Sequence, residues 1–227
     1  MKGYSIVDNV IIEPHIKFLR IDPIDIRITL RNVLDSLMNK SWLSKFDKVY
    51  LKDSYDKRCD ESIEYISTNI IKNDESSVTK SSGEYVVSEL SRSSVVETYN
   101  YLDIPIADII KKQVTGNPGF DFYTLNASKN ILFGEAKYIA KQSAHLSALN
   151  QSFNFYTQKQ HITEIPDIQN FFCDDSLSNC HKDEIGFVVS FSAKSTSTTK
   201  LIEFIKANNS YNELKKFKEL ILVAVNL

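Results

Sequence analysis

Two runs limit most sharply what this chain can fold into. Ile185-Gly186-Phe187-Val188-Val189-Ser190-Phe191 and Leu220 to Leu227 are short, apolar and rich in branched or aromatic residues, which reads as buried β-strand. A helix is predicted between them, from Lys200 to Ala207. Strands and helices in alternation predict an α/β fold, a mixed β-sheet flanked by helices.

The first third reads as a mixed N-terminal region. Ile16, Phe18 and Arg20 alternate with Lys17, Leu19 and Ile21 in a strand-like pattern, and Asp25 can cap a helix carrying Ile28, Leu30, Val33, Leu34 and Leu37. A second helix is predicted from Asp60 to Lys72, with Asp60, Glu61 and Glu64 at its positive N-terminal end and Ile63, Ile66, Ile70 and Ile71 as its apolar face. The polar stretch from Asp74 to Gly83 reads as a loop, which divides the chain into residues 1–80 and 81–227. Glu84 to Tyr101 then looks helical, with Val87, Leu90, Val95 and Val96 inward, and Ile104 to Val114 is a short irregular or strand segment.

Composition narrows the class without naming a function. With 227 residues, 42 % hydrophobic and 25 % charged, the chain can bury a substantial core, and disorder is excluded. A net charge of -2 points to no partner, so any affinity for nucleic acid must come from a local patch. The longest strongly apolar run, Leu220 to Val225, is far below the roughly 20 residues of a membrane span. The acid Asp8 interrupts the place where a signal peptide would have its apolar core, and three cysteines leave no closed disulfide set. A cytoplasmic protein with no membrane partner is expected. Phosphate-binding loops, dinucleotide fingerprints and nucleophile elbows are absent from the sequence, so no unaided ATP hydrolysis is expected.

Glycine is scarce, six in all, yet Gly116, Gly119 and Gly134 fall in one window. The turn Gly116-Asn117-Pro118-Gly119 leads into Phe120-Asp121-Phe122-Tyr123-Thr124-Leu125; Asn126 to Asn130 turns the chain, and Ile131 to Tyr138 returns as the paired strand. Glu135 and Lys137, two apart on a strand, share a face. The hairpin can bring Asp121 beside them. Two carboxylates next to an ammonium suit Mg²⁺ or Mn²⁺, which take oxygen ligands and assist phosphoryl chemistry. Glu-x-Lys alone is a weak signal: Glu213-Leu214-Lys215 repeats it in a polar helical segment where a solvated face is the natural reading. The competing account of the first copy is a surface hairpin with an ordinary salt bridge.

This arrangement resembles the PD-(D/E)XK nuclease superfamily, over about Gly83 to Gln160. Gly119-Phe120-Asp121 stands where that family usually has Pro-Asp. Ser82-Gly83-Glu84-Tyr85, Gly116 to Phe122 and Gly134-Glu135-Ala136-Lys137-Tyr138 are similar, more narrowly, to the nuclease subunit of Hachiman-type anti-phage defence systems. The resemblance implies a restriction-endonuclease-like fold. It assigns Asp121, Glu135, the Ala136 carbonyl and Glu84 to the metal, and Lys137 to catalysis. Glu89 competes with Glu84 as the helical acid.

After the hairpin, Ser143 can cap a helix running to about Lys159, with Leu146, Leu149, Phe153 and Tyr156 as its buried stripe and Gln151, Asn154 and Gln158 on the other side. From Ala136 to Thr163 there is no acid, while Lys137, Lys141, His145, Lys159 and His161 occur. Lys141, His145, Gln151 and Lys159 are therefore candidate contacts to a DNA backbone. Cys173, Cys180 and His181 are too widely spaced, and lack a fourth partner, for zinc. The expected function is a metal-dependent DNA nuclease acting in bacterial anti-phage defence. It would be held in a heterodimer with a partner helicase docked on residues 1–80; the alternative is a DNA-binding adaptor that does not cut.

Overall fold

A computed structural model describes residues 3–70, 78–111, 119–140 and 142–227. The chain enters on a hairpin of β1 (Tyr4–Glu13) and β2 (Ile16–Pro23), paired antiparallel. The alternation read in residues 16–21 does not produce alternate burial. Ile16, Phe18, Leu19, Arg20 and Ile21 are all buried, because β2 is covered on both faces. The Arg20 guanidinium is satisfied by the Asn226 side chain at 2.9 Å and the Lys194 and Thr196 carbonyls at 2.9 and 2.8 Å.

The helix α1 (Ile26–Met38) starts where the Asp25 carboxylate accepts the Arg27 and Ile28 N–H groups at 3.0 and 3.1 Å, and it buries Leu30, Val33, Leu34 and Leu37. The next helix, α2 (Val49–Tyr65), begins eleven residues before the expected Asp60 start. Its acids do not gather at the N-terminus: Asp56 and Asp60, one turn apart, share the Lys40 ammonium instead. Residues 71 and 72 of the expected helix, and 74–77 of the loop expected at 74–83, lie outside the described residues. The long helix α3 (Lys80–Tyr99) starts earlier than Glu84 because Thr79 and Ser82 form a reciprocal capping box. Ser81, Ser82 and Gly83 are helix, not loop.

After α4 (Ala107–Ile110) come β3 (Phe122–Leu125) and β4 (Ile131–Lys137), the expected hairpin. The turn residues Gly116, Asn117 and Pro118, and residues 112–114 of the segment before them, lie outside the described residues. The chain continues through α5 (His145–Thr157), α6 (Gln160–Thr163), α7 (Ile165–Ile168), α8 (Asp174–His181), β5 (Gly186–Ala193), α9 (Thr198–Lys206), α10 (Asn209–Leu214) and β6 (Glu219–Asn226). The buried side of α5 is shifted from the expected stripe: Ala148, Leu149, Ser152 and Phe155 face the core, while Leu146 is half exposed. Ser143 does not cap it; its hydroxyl pairs with His145 Nδ1 at 3.0 Å.

All six strands form one sheet in the order β1-β2-β6-β5-β4-β3. The inner four run parallel and the two edge strands antiparallel. Both β5 and β6 are buried along almost their whole length, as central strands of a covered sheet must be. Phe18 of β2 stands in register with Leu222 of β6, so the division near residue 80 is a feature of the sequence and not of the sheet. Among the described residues no helix is long and apolar enough to cross a membrane.

Candidate active site

The inner strands run parallel, so the end of β4 lies at the carboxyl edge of the sheet. The antiparallel hairpin returns the start of β3 to that same edge. Asp121, just before β3, therefore meets Glu135 and Lys137 at the end of β4. Its N–H donates to the Gly134 carbonyl at 2.8 Å, and its carboxylate accepts the Ala136 N–H at 2.6 Å. The hairpin is kept tight by Gly134: a Cβ there would stand 2.5 Å from the Phe122 ring, which lies across the glycine.

A cleft of about 350 Å³ opens here, lined by Glu84, Tyr85, Ser88, Asp108, Asp121, Glu135, Lys137 and Gln151, among others. Glu84, Tyr85 and Ser88 recur at the helical spacing of one face of α3. Gly83 brings that face close, since a Cβ on it would stand 2.1 Å from the Tyr138 ring. Glu84 consequently reaches the Lys137 ammonium at 3.3 Å, while Lys137 also pairs with Glu135 at 3.0 Å.

Glu135 is 1 % exposed, and neither carboxylate oxygen receives a hydrogen bond of good geometry despite the nearby ammonium. Burial and the Asp121 charge push its carboxyl well above the usual range. Burial likewise raises Asp121 to about 7, against the opposing pull of Lys137 and the Ala136 N–H. Lys137 is held well above the ordinary lysine value by the Glu135, Asp121 and Glu84 carboxylates, which outweigh its own burial. Two desolvated carboxylates that repel each other form a costly arrangement, the kind expected at functional sites.

The Glu135 carboxylate, buried with the Lys137 ammonium beside Oε1 and repelled by Asp121, suits a divalent cation. Asp121, Glu135 and the backbone at Ala136 are the groups that would hold it. Glu84, also expected as a ligand, lines the same cleft, half exposed and beside the Lys137 ammonium. Among the described residues no group of three or more His, Cys, Asp or Glu side chains is placed to hold one ion. Magnesium is commonly held by one or two carboxylates with water completing its shell, so two suffice. All three cysteines are free thiols, Cys59 and Cys180 buried and Cys173 exposed.

The choice between Glu84 and Glu89 is decided by helix geometry. Glu89 is absent from the cleft and buried in a separate network, accepting Arg92 Nε at 2.8 Å, Arg92 Nη2 at 2.6 Å and the Ser36 hydroxyl at 2.5 Å. Of the three candidate DNA contacts among the described residues, Gln151 alone lines the cleft. His145, another of the three, is 9 % exposed; its ring packs against Phe191 and Phe204, and burial lowers its pKa. His161 is likewise buried, stacked on Tyr156. Lys159 is exposed beyond the end of α5, outside the cleft lining. Lys141 lies outside the described residues.

One acidic cleft residue escapes the sequence reading. Asp108, in the first turn of α4, accepts the Tyr85 hydroxyl at 2.6 Å and contributes to the raised Asp121 pKa. No spacing rule links it to the hairpin; the connection is the Ala107 N–H, which donates to the Asp121 carbonyl at 2.7 Å. No protein-family model, curated protein or solved structure matches the chain.

Proposed function

We propose that this protein is a divalent-cation-dependent nuclease that hydrolyses phosphodiester bonds in DNA, on a restriction-endonuclease-like version of its α/β sheet. The observation that carries this reading is the convergence, in one cleft, of a buried Glu135 paired with the Lys137 ammonium and a desolvated Asp121 that repels it. A salt bridge that merely stabilised a hairpin would not require two mutually repelling buried acids. When bound, Mg²⁺ or Mn²⁺ supplies polarisation of a phosphoryl oxygen and charge for the departing one.

Lys137 stays protonated between Glu135 and Glu84, so it serves as a cation and hydrogen-bond donor to the scissile phosphate and orients the attacking water. A base role would need a lowered pKa, and the surrounding carboxylates work in the opposite direction. The carboxamide of Gln151, on the α5 side of the cleft, can hold a phosphate oxygen or the water without adding charge. Glu84 fixes the Lys137 ammonium from the solvent side.

The motifs shared with the Hachiman nuclease subunit extend the proposal to cytoplasmic anti-phage defence, with a helicase partner supplying ATP-driven movement. The test is plasmid incubated with purified protein, alone and with its helicase partner, in Mg²⁺ or chelator. Cleavage in Mg²⁺, lost in Glu135→Ala and Lys137→Ala proteins that retain their fold, is expected. Cleavage that survives both substitutions, or a plasmid left intact under every condition, refutes the nuclease.

A further inference from the structure

We infer that Glu164 is a positioning residue for Asp121, acting through the backbone of Gly119 and Phe120; the inference rests on the cation-dependent nuclease reading. Glu164 stands at the junction of α6 and α7, 43 positions after Asp121 in sequence, and is 4 % exposed. One carboxylate oxygen, Oε1, accepts from the Phe120 N–H at 3.1 Å, from the Lys111 ammonium at 2.9 Å and from the Gln160 amide at 3.0 Å. The other, Oε2, accepts the Tyr123 hydroxyl at 2.7 Å. Lys111 donates in turn to the Phe120 carbonyl at 3.1 Å, so both polar groups of one peptide residue are gripped by a single buried ion pair.

Phe120 immediately precedes Asp121, and its ring is locked against Phe133 and Phe155. Tyr123, the donor to Oε2, belongs to β3. The clamp thus holds the chain on both sides of Asp121 and leaves its carboxylate one orientation, toward the Ala136 N–H and the cleft. Gly119 is part of the device: a Cβ there would stand 2.1 Å from Glu164 Oε1 and 2.6 Å from Lys111 Nζ, so the carboxylate reaches Phe120 only because residue 119 has no side chain. A buried pair is weak evidence for stability by itself, since desolvation offsets its attraction. Its placement against the residue that carries a metal-binding carboxylate is what gives it a function, as outer partners commonly fix the geometry of metal ligands.

The experiment measures Mn²⁺ affinity by calorimetry and thermal stability for the wild type, Asp121→Asn, Glu164→Gln and Gly119→Ala, all at a temperature well below every unfolding midpoint. Asp121→Asn is expected to abolish binding; unchanged affinity in that variant would defeat the cation site itself. With that control holding, Glu164→Gln and Gly119→Ala are each expected to weaken Mn²⁺ binding about 10–100-fold, the usual effect of losing an outer partner. Gly119→Ala keeps both charges and decides the matter if Glu164→Gln does not fold. Affinity within threefold of wild type in the folded variant, even with a lowered melting temperature, would mean that the pair only stabilises the fold and would overturn the inference.

Discussion

Replacing Asp121 with Asn should make the metal-free protein more stable, by an amount that depends on pH. The carboxyl is raised from 3.8 to about 7 by burial. At about 1.4 kcal/mol for each tenfold change in proton affinity, the ionised form costs the folded state about 4 kcal/mol at pH 8. The sign follows from proton uptake. A carboxyl whose pKa is higher folded than unfolded binds more protons in the folded state between the two values, so stability falls as pH rises through that window. At pH 5 the cost is already reduced to about 2 kcal/mol. Asn occupies the same volume and can still accept the Ala136 N–H, and it relieves the repulsion on Glu135, which adds in the same direction. For a chain of this size 1 kcal/mol moves the melting temperature about 2–4 °C. Differential scanning fluorimetry in chelator should therefore show Asp121→Asn melting about 8–16 °C above wild type at pH 8 and about half that at pH 5. Added Mg²⁺ should raise the wild type and leave the variant unmoved. A variant that melts with or below wild type at pH 8, or a difference independent of pH, would refute the account of Asp121 as a desolvated, repelled carboxylate.

Gly83→Ala should push α3 away from Tyr138 and carry Glu84 off Lys137; plasmid cleavage is expected to fall at least tenfold while far-UV circular dichroism is retained. Glu89→Ala leaves the buried Arg92 its Asp103 partner but takes the acceptor from Nε and Nη2, and is expected to cost about 1–3 kcal/mol in urea denaturation without changing Mn²⁺ affinity, because Glu89 stands outside the cleft. Binding of duplex DNA, followed by fluorescence anisotropy in Ca²⁺, should weaken linearly in log affinity against log salt concentration. A flat response would remove the phosphate backbone from the interaction.

The parts of the site that were legible in the sequence are those fixed by local geometry. Alternation along β4 places Glu135 beside Lys137, and the short return at Asn126 to Asn130 brings Asp121 to them, so a hairpin read correctly delivers three groups together. Helix limits were less legible. The Thr79–Ser82 capping box lies in a serine-rich stretch that resembles a loop, and recognising it adds a turn to α3 ahead of Glu84. Along α5 the expected Leu149 is buried and Phe153 and Tyr156 pack against the core, but Leu146 is exposed while the less apolar Ser152 satisfies its hydroxyl on the Ala148 carbonyl at 2.9 Å and is buried. Glu164 and Asp108 were invisible for a different reason. Each meets the hairpin from an element distant in sequence or irregular in form, and side-chain periodicity carries no information about such meetings.

The position of β6 between β2 and β5 has a consequence for how the molecule is made. The β1-β2 hairpin is synthesised before the other strands of the sheet but has no neighbour on its inner edge until Glu219 to Asn226 arrive, nearly two hundred residues later. Such long-range pairing slows folding and leaves strand edges open to wrong partners in the meantime. Without β6 the sheet would thus fall into two parts, β1-β2 and β5-β4-β3, with nothing to join them, so that Glu219 to Asn226 act as the keystone that closes the scaffold.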